Sequence, residues 1–312
     1  YLGYESALAM APKYKEEVTR ALRLVKLGND LVTLVSGRVM HQLATTIGGF
    51  THFPTAQEIE DMRKRFADAQ EDVMATAKLI ASLDVPKLHS NTQFFSLTRE
   101  GEYATSYGDV KIGERIFTQD EYHDILKEFH TPYSNANFVV IEGKHYFVGS
   151  LARVNNNHDK LSPRAKAFMQ ETGFHIPEYN SFKNNLAQAI ELVHHQETGH
   201  EILANLKIVP QRPPELTFNG PCHGIAANEA PRGTLWHEYK FDEQGYITYA
   251  NVVAPTTQQL LNMQGDIEQY VQQLLNEKAD KEKIRNEVEK LIRANDPCFS
   301  CATHFLEVNW EE

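Results

Sequence analysis

The stretch Asp-Pro-Cys-Phe-Ser-Cys-Ala-Thr-His at residues 296–304 brings two of the chain's three cysteines and a histidine together. Thiolates are soft metal donors, so Cys298 and Cys301 at C-x-x-C spacing can direct two sulfurs at one transition metal ion. Taken alone, the pair also permits a redox dithiol, a structural zinc site or two packed thiols. A redox dithiol favours a strand-to-helix junction early in a βαβ unit, and zinc needs a second ligand pair. Neither context is present, so the rest of the chain has to decide.

The composition restricts the class of protein. A chain of 312 residues with 41% hydrophobic residues can bury a sizeable core. The formal net charge of -11 opposes binding to phosphate backbones, so we expect no nucleic-acid partner. No apolar run is long enough to span a membrane, and three cysteines do not make a disulfide framework. We therefore expect a globular protein of the cytoplasm.

Apolar residues recur at helical spacing in several segments. Pro12 is typical of a first helical turn, and we expect the helix that it begins to be buried through residues such as Leu22 and Val25. Thr55 and Glu58 fit a capping box, in which each side chain can satisfy the other's backbone donor. The predicted helices cover residues 12–39, 55–83, 162–172, 182–206, 258–276 and 280–294.

Short β-rich runs replace the helical period between about residues 92 and 155. A hairpin is predicted at Gly143, and residues 155–157, three consecutive asparagines, are predicted to be loop. The predicted strands cover residues 94–97, 103–107, 138–141 and 146–148. This region is expected to be a small α/β insertion on a helical body.

A second hairpin is predicted around Gly245, with strands at residues 235–242 and 246–253. It brings Arg232, at one end, close to Pro255 at the other. The last two predicted helices then lead back to the cysteines. We predict a mainly α fold: one domain over residues 1–312, built as a bundle of long helices with the small α/β insertion and with this β-hairpin near the candidate site.

Four sequence boxes together resemble the large, catalytic subunit of nickel–iron hydrogenases. They are D-P-C-x-x-C-x-x-H at 296–304, E-A-P-R-G at 229–233, A-P-T-T at 254–257, and G-R-x-x-H at 37–41 followed by Gly48 and Gly49. The boxes occur in the family's order, and they are most similar to its cytoplasmic multisubunit groups, including the sulfhydrogenase-like and heterodisulfide-reductase-linked enzymes. The resemblance implies heterolytic cleavage or formation of dihydrogen at a nickel–iron centre whose iron carries cyanide and carbon monoxide.

The resemblance also implies a role for each residue of the C-terminal motif. Cys298 would be a terminal nickel ligand, and Cys301 would be a thiolate that bridges nickel and iron. His304 would bind magnesium, or iron, in the family's C-terminal metal site. Retention of these three residues favours a catalytic subunit over a structural or coupling subunit with an incomplete metal site. A scaffold or maturation intermediate with an empty site is a third possibility.

The other two boxes would surround the metals. Arg232 would stand over them as a candidate base and donate a hydrogen bond to an iron-bound cyanide, with Asp296 as its ion-pair partner. Pro255 and Thr256 would hold a cyanide from the other end of the hairpin. An anionic ligand in a dry site needs such fixed donors. The alternatives are a surface or structural ion pair for Arg232 and a helix N-cap for Thr256.

The chain also departs from the family's pattern. The R-x-C-G-x-C motif that supplies two further cysteines, and the R-G-x-E box with its proton-transfer glutamate, are absent from the sequence. Cys222 stands in another context and is predicted to be a packed thiol. Because the chain begins at Tyr1, we expect the C-terminal part of a longer polypeptide, with a degenerate homologue as the alternative. Residues 305–312 follow the point where a maturation protease cuts many family members, and Gln259 replaces a frequent asparagine.

The resemblance implies partners that carry electrons away. An iron–sulfur small subunit is expected, together with further electron-transfer subunits of the flavin and NAD(P), deazaflavin or heterodisulfide-reductase type. Because the electron acceptor is chosen by those subunits, the sequence of this chain leaves it open.

Overall fold

A computed structural model describes residues 1–4, 6–210, 212, 214–215, 217–302 and 309–310. Its helices are α1 (Ala7–Met10), α2 (Lys15–Ser36), α3 (Ala56–Asp68), α4 (Gln70–Ala81), α5 (Tyr122–Ile125), α6 (Ser150–Asn157), α7 (Pro163–Glu171), α8 (Asn184–Asn205), α9 (Pro255–Asn276), α10 (Lys281–Asn295) and α11 (Phe299–Ala302). Its strands are β1 (Thr45–Thr46), β2 (Gly49–Phe50), β3 (Phe95–Thr98), β4 (Asp109–Ile112), β5 (Arg115–Phe117), β6 (Leu126–Phe129), β7 (Phe138–Ile141), β8 (Cys222–Ala230), β9 (Gly233–Phe241) and β10 (Ile247–Val253).

The chain divides into two compact units. The first comprises Tyr1–Leu83, Ser162–Met169 and Ala189–Phe218. The second comprises Asp84–Leu161, Gln170–Gln188 and Asn219–Glu312. Every candidate site residue that the structure describes lies in the second unit.

The first unit is mainly helical, and the helix start predicted at Thr55 is confirmed. Thr55 Oγ1 accepts a hydrogen bond from the N–H of Glu58, and the Glu58 carboxylate accepts one from the N–H of Thr55. The predicted helix 55–83 is divided into α3 and α4 at Ala69. The apolar face of α3 forms a small core with one residue of α8: Ile59, Met62, Phe66 and Leu203, with Leu27, Leu31, Leu34 and Ile208 against it.

The prediction that the first long helix is buried is wrong. Within α2, burial is confined to Arg20 and Ser36, while Leu22 is 65% and Val25 61% exposed. The ion pair between Arg23 and Asp72 of α4 lies on the surface. Helical spacing identifies an apolar stripe, but it does not identify what covers that stripe.

The second unit is built around three antiparallel sheets, in the orders β3-β4-β5, β6-β7 and β10-β9-β8. They share a core that includes Phe95, Leu97, Tyr146 and Trp236. The predicted hairpin of residues 235–253 is confirmed as β9 and β10. The sequence does not predict the third strand, β8, and the prediction that its first residue, Cys222, is a packed thiol is wrong because that thiol is exposed.

The loop prediction for residues 155–157 is wrong, because they form the last turn of α6 and are buried. Their amides satisfy backbone groups of neighbouring segments: Asn156 Nδ2 donates to Phe94 O, and Asn157 Nδ2 donates to Leu97 O over 2.9 Å. Polar composition indicates a loop, but side-chain amides can replace main-chain partners in a core. The strands predicted at residues 103–107 and 146–148 are also wrong; Phe147 makes an isolated bridge to Phe94.

Helices and small antiparallel sheets thus agree with the predicted mainly α class. The arrangement of the long helices as a bundle stays a prediction. Among the described residues, no helix combines the length and the apolar character that a membrane span requires.

Candidate metal centre

The cysteine pair lies on a single helical turn directly after α10. Asp296 adopts the left-handed conformation (φ 52°, ψ 50°), which ends α10 and redirects the chain through Pro297. The N–H of Cys301 donates to the carbonyl oxygen of Cys298 over 3.1 Å, which closes α11. Residues three apart on a helical turn lie on one face, so the two thiols can reach each other. Cys298 is half-buried and Cys301 is exposed.

A hydrogen bond joins the two thiols. Hydrogen bonds from the Cys301 thiol and then from Ser300, whose Oγ is 3.3 Å from Cys298 Sγ, lower the pKa of Cys298. The same hydrogen bond between the thiols is the largest cause that raises the pKa of Cys301, and burial is the second. The charge of Arg232 opposes that rise. A bound metal ion would displace the protons of both thiols, because the thiolate is the form that ligates a metal.

Arg232 reaches this turn from the β8–β9 connection. Ala230 pairs with Gly233, so Pro231 and Arg232 form the tight turn between the strands. Arg232 Nε donates to the carbonyl oxygen of Asp296 over 2.8 Å, and Nη2 lies 3.2 Å from Asp296 Oδ1. The Arg232 side chain is 43% and that of Asp296 33% exposed, so the pair lies at the rim of the site. The juxtaposition of these two residues agrees with the sequence-based expectation.

Thr256 ties the cysteine turn to the beginning of α9. The N–H of Cys298 donates to the buried Thr256 Oγ1 over 3.2 Å. The alternative of Thr256 as a helix N-cap is wrong, because Ala254 is the N-cap and Pro255 occupies the first turn. Proline suits that position because it has no N–H that would need a partner there. Ala302 packs with Leu260 of α9, which fixes the far end of the turn.

A small cavity lies between these elements. It is lined by Arg232, Thr256, Gln259, Leu260, Met263, Asn295, Asp296 and Pro297, and it has about 10 Å³ of space, room for one water-sized group. Gln259 Nε2 donates to Asn295 Oδ1 over 2.7 Å and so closes one side. Pro255 is not among the lining residues.

The residues present fit part of a nickel–iron centre. The two thiols are donors of the soft type that nickel and iron accept, and Arg232 supplies a cation beside them. Among the described residues, no group of three or more Cys, His, Asp and Glu side chains is arranged as a full metal site. His304, the expected ligand of a second metal, lies outside the described residues.

The sequence did not predict one buried ion pair next to the site. Arg153 of α6 pairs with Glu229 of β8 over 2.9 Å, with 4% and 1% of the side chains exposed. Burial raises the pKa of Glu229, although Arg153 and the N–H of Leu97 act in the opposite direction. Glu229 belongs to the E-A-P-R-G box, which was its only signal. No local pattern pairs it with a residue 76 positions earlier.

The chain is similar in sequence to known hydrogenase subunits. Residues 114–304 match the nickel-dependent hydrogenase family. The chain is 31% identical to the alpha chain of sulfhydrogenase 1 from Pyrococcus furiosus, over 99% of this chain and 72% of that protein. It is 28% identical to the beta chain of the NAD-reducing hydrogenase HoxS from Cupriavidus necator, over 93% of this chain and 66% of that protein.

The fold is similar to that of solved hydrogenases. A crystal structure of an NAD+-reducing [NiFe]-hydrogenase in the H2-reduced state superposes with a TM-score of 0.82 and 24% identity, covering 95% of this chain and 71% of that one. This likeness concerns the fold, whereas the family match and the sequence identity above concern descent. On these grounds the chain belongs to the nickel-dependent hydrogenase family.

Proposed function

We propose that this chain is the catalytic subunit that interconverts dihydrogen with protons and electrons, and that it passes the electrons to an iron–sulfur partner subunit. The observation that carries the proposal is the joint anchoring of one short turn. Thr256 holds the N–H of Cys298, and Arg232 holds Asp296 two residues before it. Two soft donors and one cation are thereby fixed in one place.

A bound nickel–iron centre would supply a Lewis-acidic site at which dihydrogen is polarised. Cys298 and Cys301 would hold it, and the helical turn sets the spacing between their sulfurs. Asp296 orients the Arg232 guanidinium, whose exposed part can donate to an anionic ligand or to a developing charge. Thr256 and Pro255 place the first turn of α9 behind the thiols. By analogy with the family, the proposal also includes Arg232 as the base that accepts a proton.

The proposal extends to groups and partners that lie outside the chain. Cyanide and carbon monoxide would complete the iron, and His304 would hold magnesium or iron. The relatives are named as subunits, among them one from the F420-non-reducing hydrogenase of Methanothermobacter thermautotrophicus, which is 28% identical over 92% of this chain and 66% of that protein. These names support a heteromeric complex whose other members include an iron–sulfur protein and flavin and NAD(P), deazaflavin or heterodisulfide-reductase partners. A cytoplasmic location is part of the same proposal.

The alternative is a non-catalytic subunit of a redox complex. The intact thiol turn weighs against it, because a structural subunit has no use for two thiols held beside a cation. Elemental analysis of the native assembly separates the two. We expect nickel and iron, each close to one atom or more per catalytic chain, with hydrogen-dependent reduction of an artificial dye. Absence of both metals from an assembly purified in active form would refute the catalytic proposal.

A further inference from the structure

The ion pair between Arg153 and Glu229 is buried, and two charges are costly to remove from water. A buried ion pair is weak evidence of stabilisation, since apolar side chains of similar volume often replace such pairs without loss. The position of this pair, directly behind the Arg232 turn, points to a different use.

Arg153 donates two hydrogen bonds to the main chain of that turn. Nη1 donates to Ala230 O over 3.0 Å, and Nη2 donates to Pro231 O over 3.0 Å. These are the two main-chain carbonyl groups that immediately precede Arg232. Nη2 also donates to Ser150 Oγ over 3.0 Å, which fixes the guanidinium to its own helix. The planar fork of arginine can reach both carbonyl groups at once, whereas a lysine ammonium is a single point.

Glu229 holds the same turn from the strand side. Its Oε1 accepts from the Thr234 hydroxyl and from the N–H of Leu97, each over 2.8 Å. Glu229 and Thr234 are register partners across the turn. The carboxylate therefore joins the residues that flank the turn and ties both to β3.

Two glycines let the turn lie directly on the beginning of α6. A Cβ atom at Gly149 would stand 3.0 Å from the carbonyl oxygen of Arg232. A Cβ atom at Gly233 would stand 2.6 Å from Val148 Cγ2, and Gly233 has a φ of +135°. The Arg232 main chain is thus held on several sides, although its side chain is partly exposed.

We propose that Arg153 and Glu229 are positioning residues that place the Arg232 guanidinium beside the cysteine turn. The inference deepens the proposed function and rests on it for its catalytic consequence. Its structural content, that the buried pair determines where Arg232 lies, holds with or without metal.

The test separates the pair's structural contribution from its positioning role. The variant with both Arg153→Met and Glu229→Gln leaves no lone buried charge, so it should fold better than Arg153→Met alone. The carbonyl groups of Ala230 and Pro231 still lose their donor. Arg153→Lys keeps the positive charge but loses the planar guanidinium group that reaches both carbonyl groups. It replaces the double variant in the test if the double variant fails to fold. Ser181→Ala, which removes a hydroxyl donor from the buried Asp266 of the same unit, is the matched control.

The first measurement is a crystal structure of each purified assembly. We expect Arg232 Nε to stay about 2.8 Å from Asp296 O in the native protein and in Ser181→Ala. In the double variant and in Arg153→Lys it should move out of hydrogen-bond range. An Arg232 that keeps its bond to Asp296 in these variants overturns the inference. Because this readout needs no metal, it remains decisive if the native assembly proves to hold no nickel, the result that would defeat the proposed function alone.

The second measurement uses the metal-loaded assembly. The double variant should bind nickel and iron normally, shift the infrared bands of the cyanide ligands, and lose on the order of 10²-fold in kcat, as expected for a displaced catalytic group. The KM for dihydrogen should change much less, and Ser181→Ala should leave the infrared bands in place. A double variant with native kcat and native bands would show that the pair serves packing only.

Discussion

The main-chain N–H of Cys298 donates to Thr256 Oγ1 across 3.2 Å, and so joins residues 42 positions apart in the chain. The bond leaves the cysteine turn little freedom to move away from α9. The Thr256 hydroxyl therefore anchors the cysteine turn to α9 and does not cap that helix.

Thr256→Val should reduce metal retention. Valine keeps the volume but removes the acceptor, which leaves the Cys298 N–H without its partner at a cost of about 1 kcal/mol. We expect a slightly lower unfolding temperature and less nickel per chain after dialysis against a chelator. Thr256→Ser keeps the hydroxyl and should retain nickel as the native protein does; equal retention in Thr256→Val would contradict the role given to this bond.

Cys301→Ser should abolish hydrogen turnover. A hydroxyl is a poor substitute for a bridging thiolate, so the centre should not assemble in a working form. Hydrogen-dependent dye reduction measures the loss, and Cys222→Ser, at an exposed thiol outside the site, is the control. Native turnover in Cys301→Ser would exclude the bridging role.

Asp296→Asn should impair turnover while leaving stability almost unchanged. The ion pair with Arg232 is partly exposed and contributes about 0–1 kcal/mol, and asparagine tolerates the left-handed conformation of this position. We expect a fall in kcat of roughly 10- to 100-fold if the carboxylate orients Arg232. A thermal unfolding curve recorded beside the kinetics separates this result from simple destabilisation, and a native kcat would argue against an orienting role.

Gly233→Ala should destabilise the second unit by about 1–3 kcal/mol, because a methyl group would meet Val148 and the backbone would be strained at positive φ. Gly224→Ala, in β8 with open space around it, is the matched substitution and should be nearly neutral. Denaturant unfolding of both variants checks the difference, and equal midpoints would show that the turn can relax.

Acid should weaken the sheet that carries Arg232 through Glu238. Burial raises the pKa of this carboxyl, but hydrogen bonds from His123 and His223 outweigh burial, so the net pKa is lowered. The resulting stabilisation is present above the unfolded pKa of about 4.5 and is lost as the pH falls through the lower folded value. Glu238→Gln should therefore lose less stability than the native protein between about pH 5 and pH 3. Parallel acid losses would mean that other carboxyl groups dominate.

Local signals predicted much of the secondary structure. Three kinds of signal depend on residues close in sequence: the capping box at Thr55, the helical spacing of apolar residues in α8, α9 and α10, and the β9–β10 hairpin. The structure contains each of these elements, with ends that differ from the predicted ones. In each case, neighbouring residues contain the whole physical reason.

What the sequence could not predict depends on distant partners. Asn156 is helical and buried because strands opposite it need amide donors, and Leu22 is exposed because no described residue covers it. Arg153 entered no prediction, since its partners Glu229 and Pro231 follow it by 76 and 78 residues. Periodicity cannot convey such pairings.

The grip of Arg153 and Glu229 on the β8–β9 turn has a consequence for engineering. The E-A-P-R-G box is not a portable peptide, because its geometry is supplied by α6 and β3 as much as by its own five residues. A minimal synthetic scaffold that copies the box without the beginning of α6 would contain the arginine but would not orient its side chain. Transplantation would have to carry Gly149, Ser150 and Arg153 along with it.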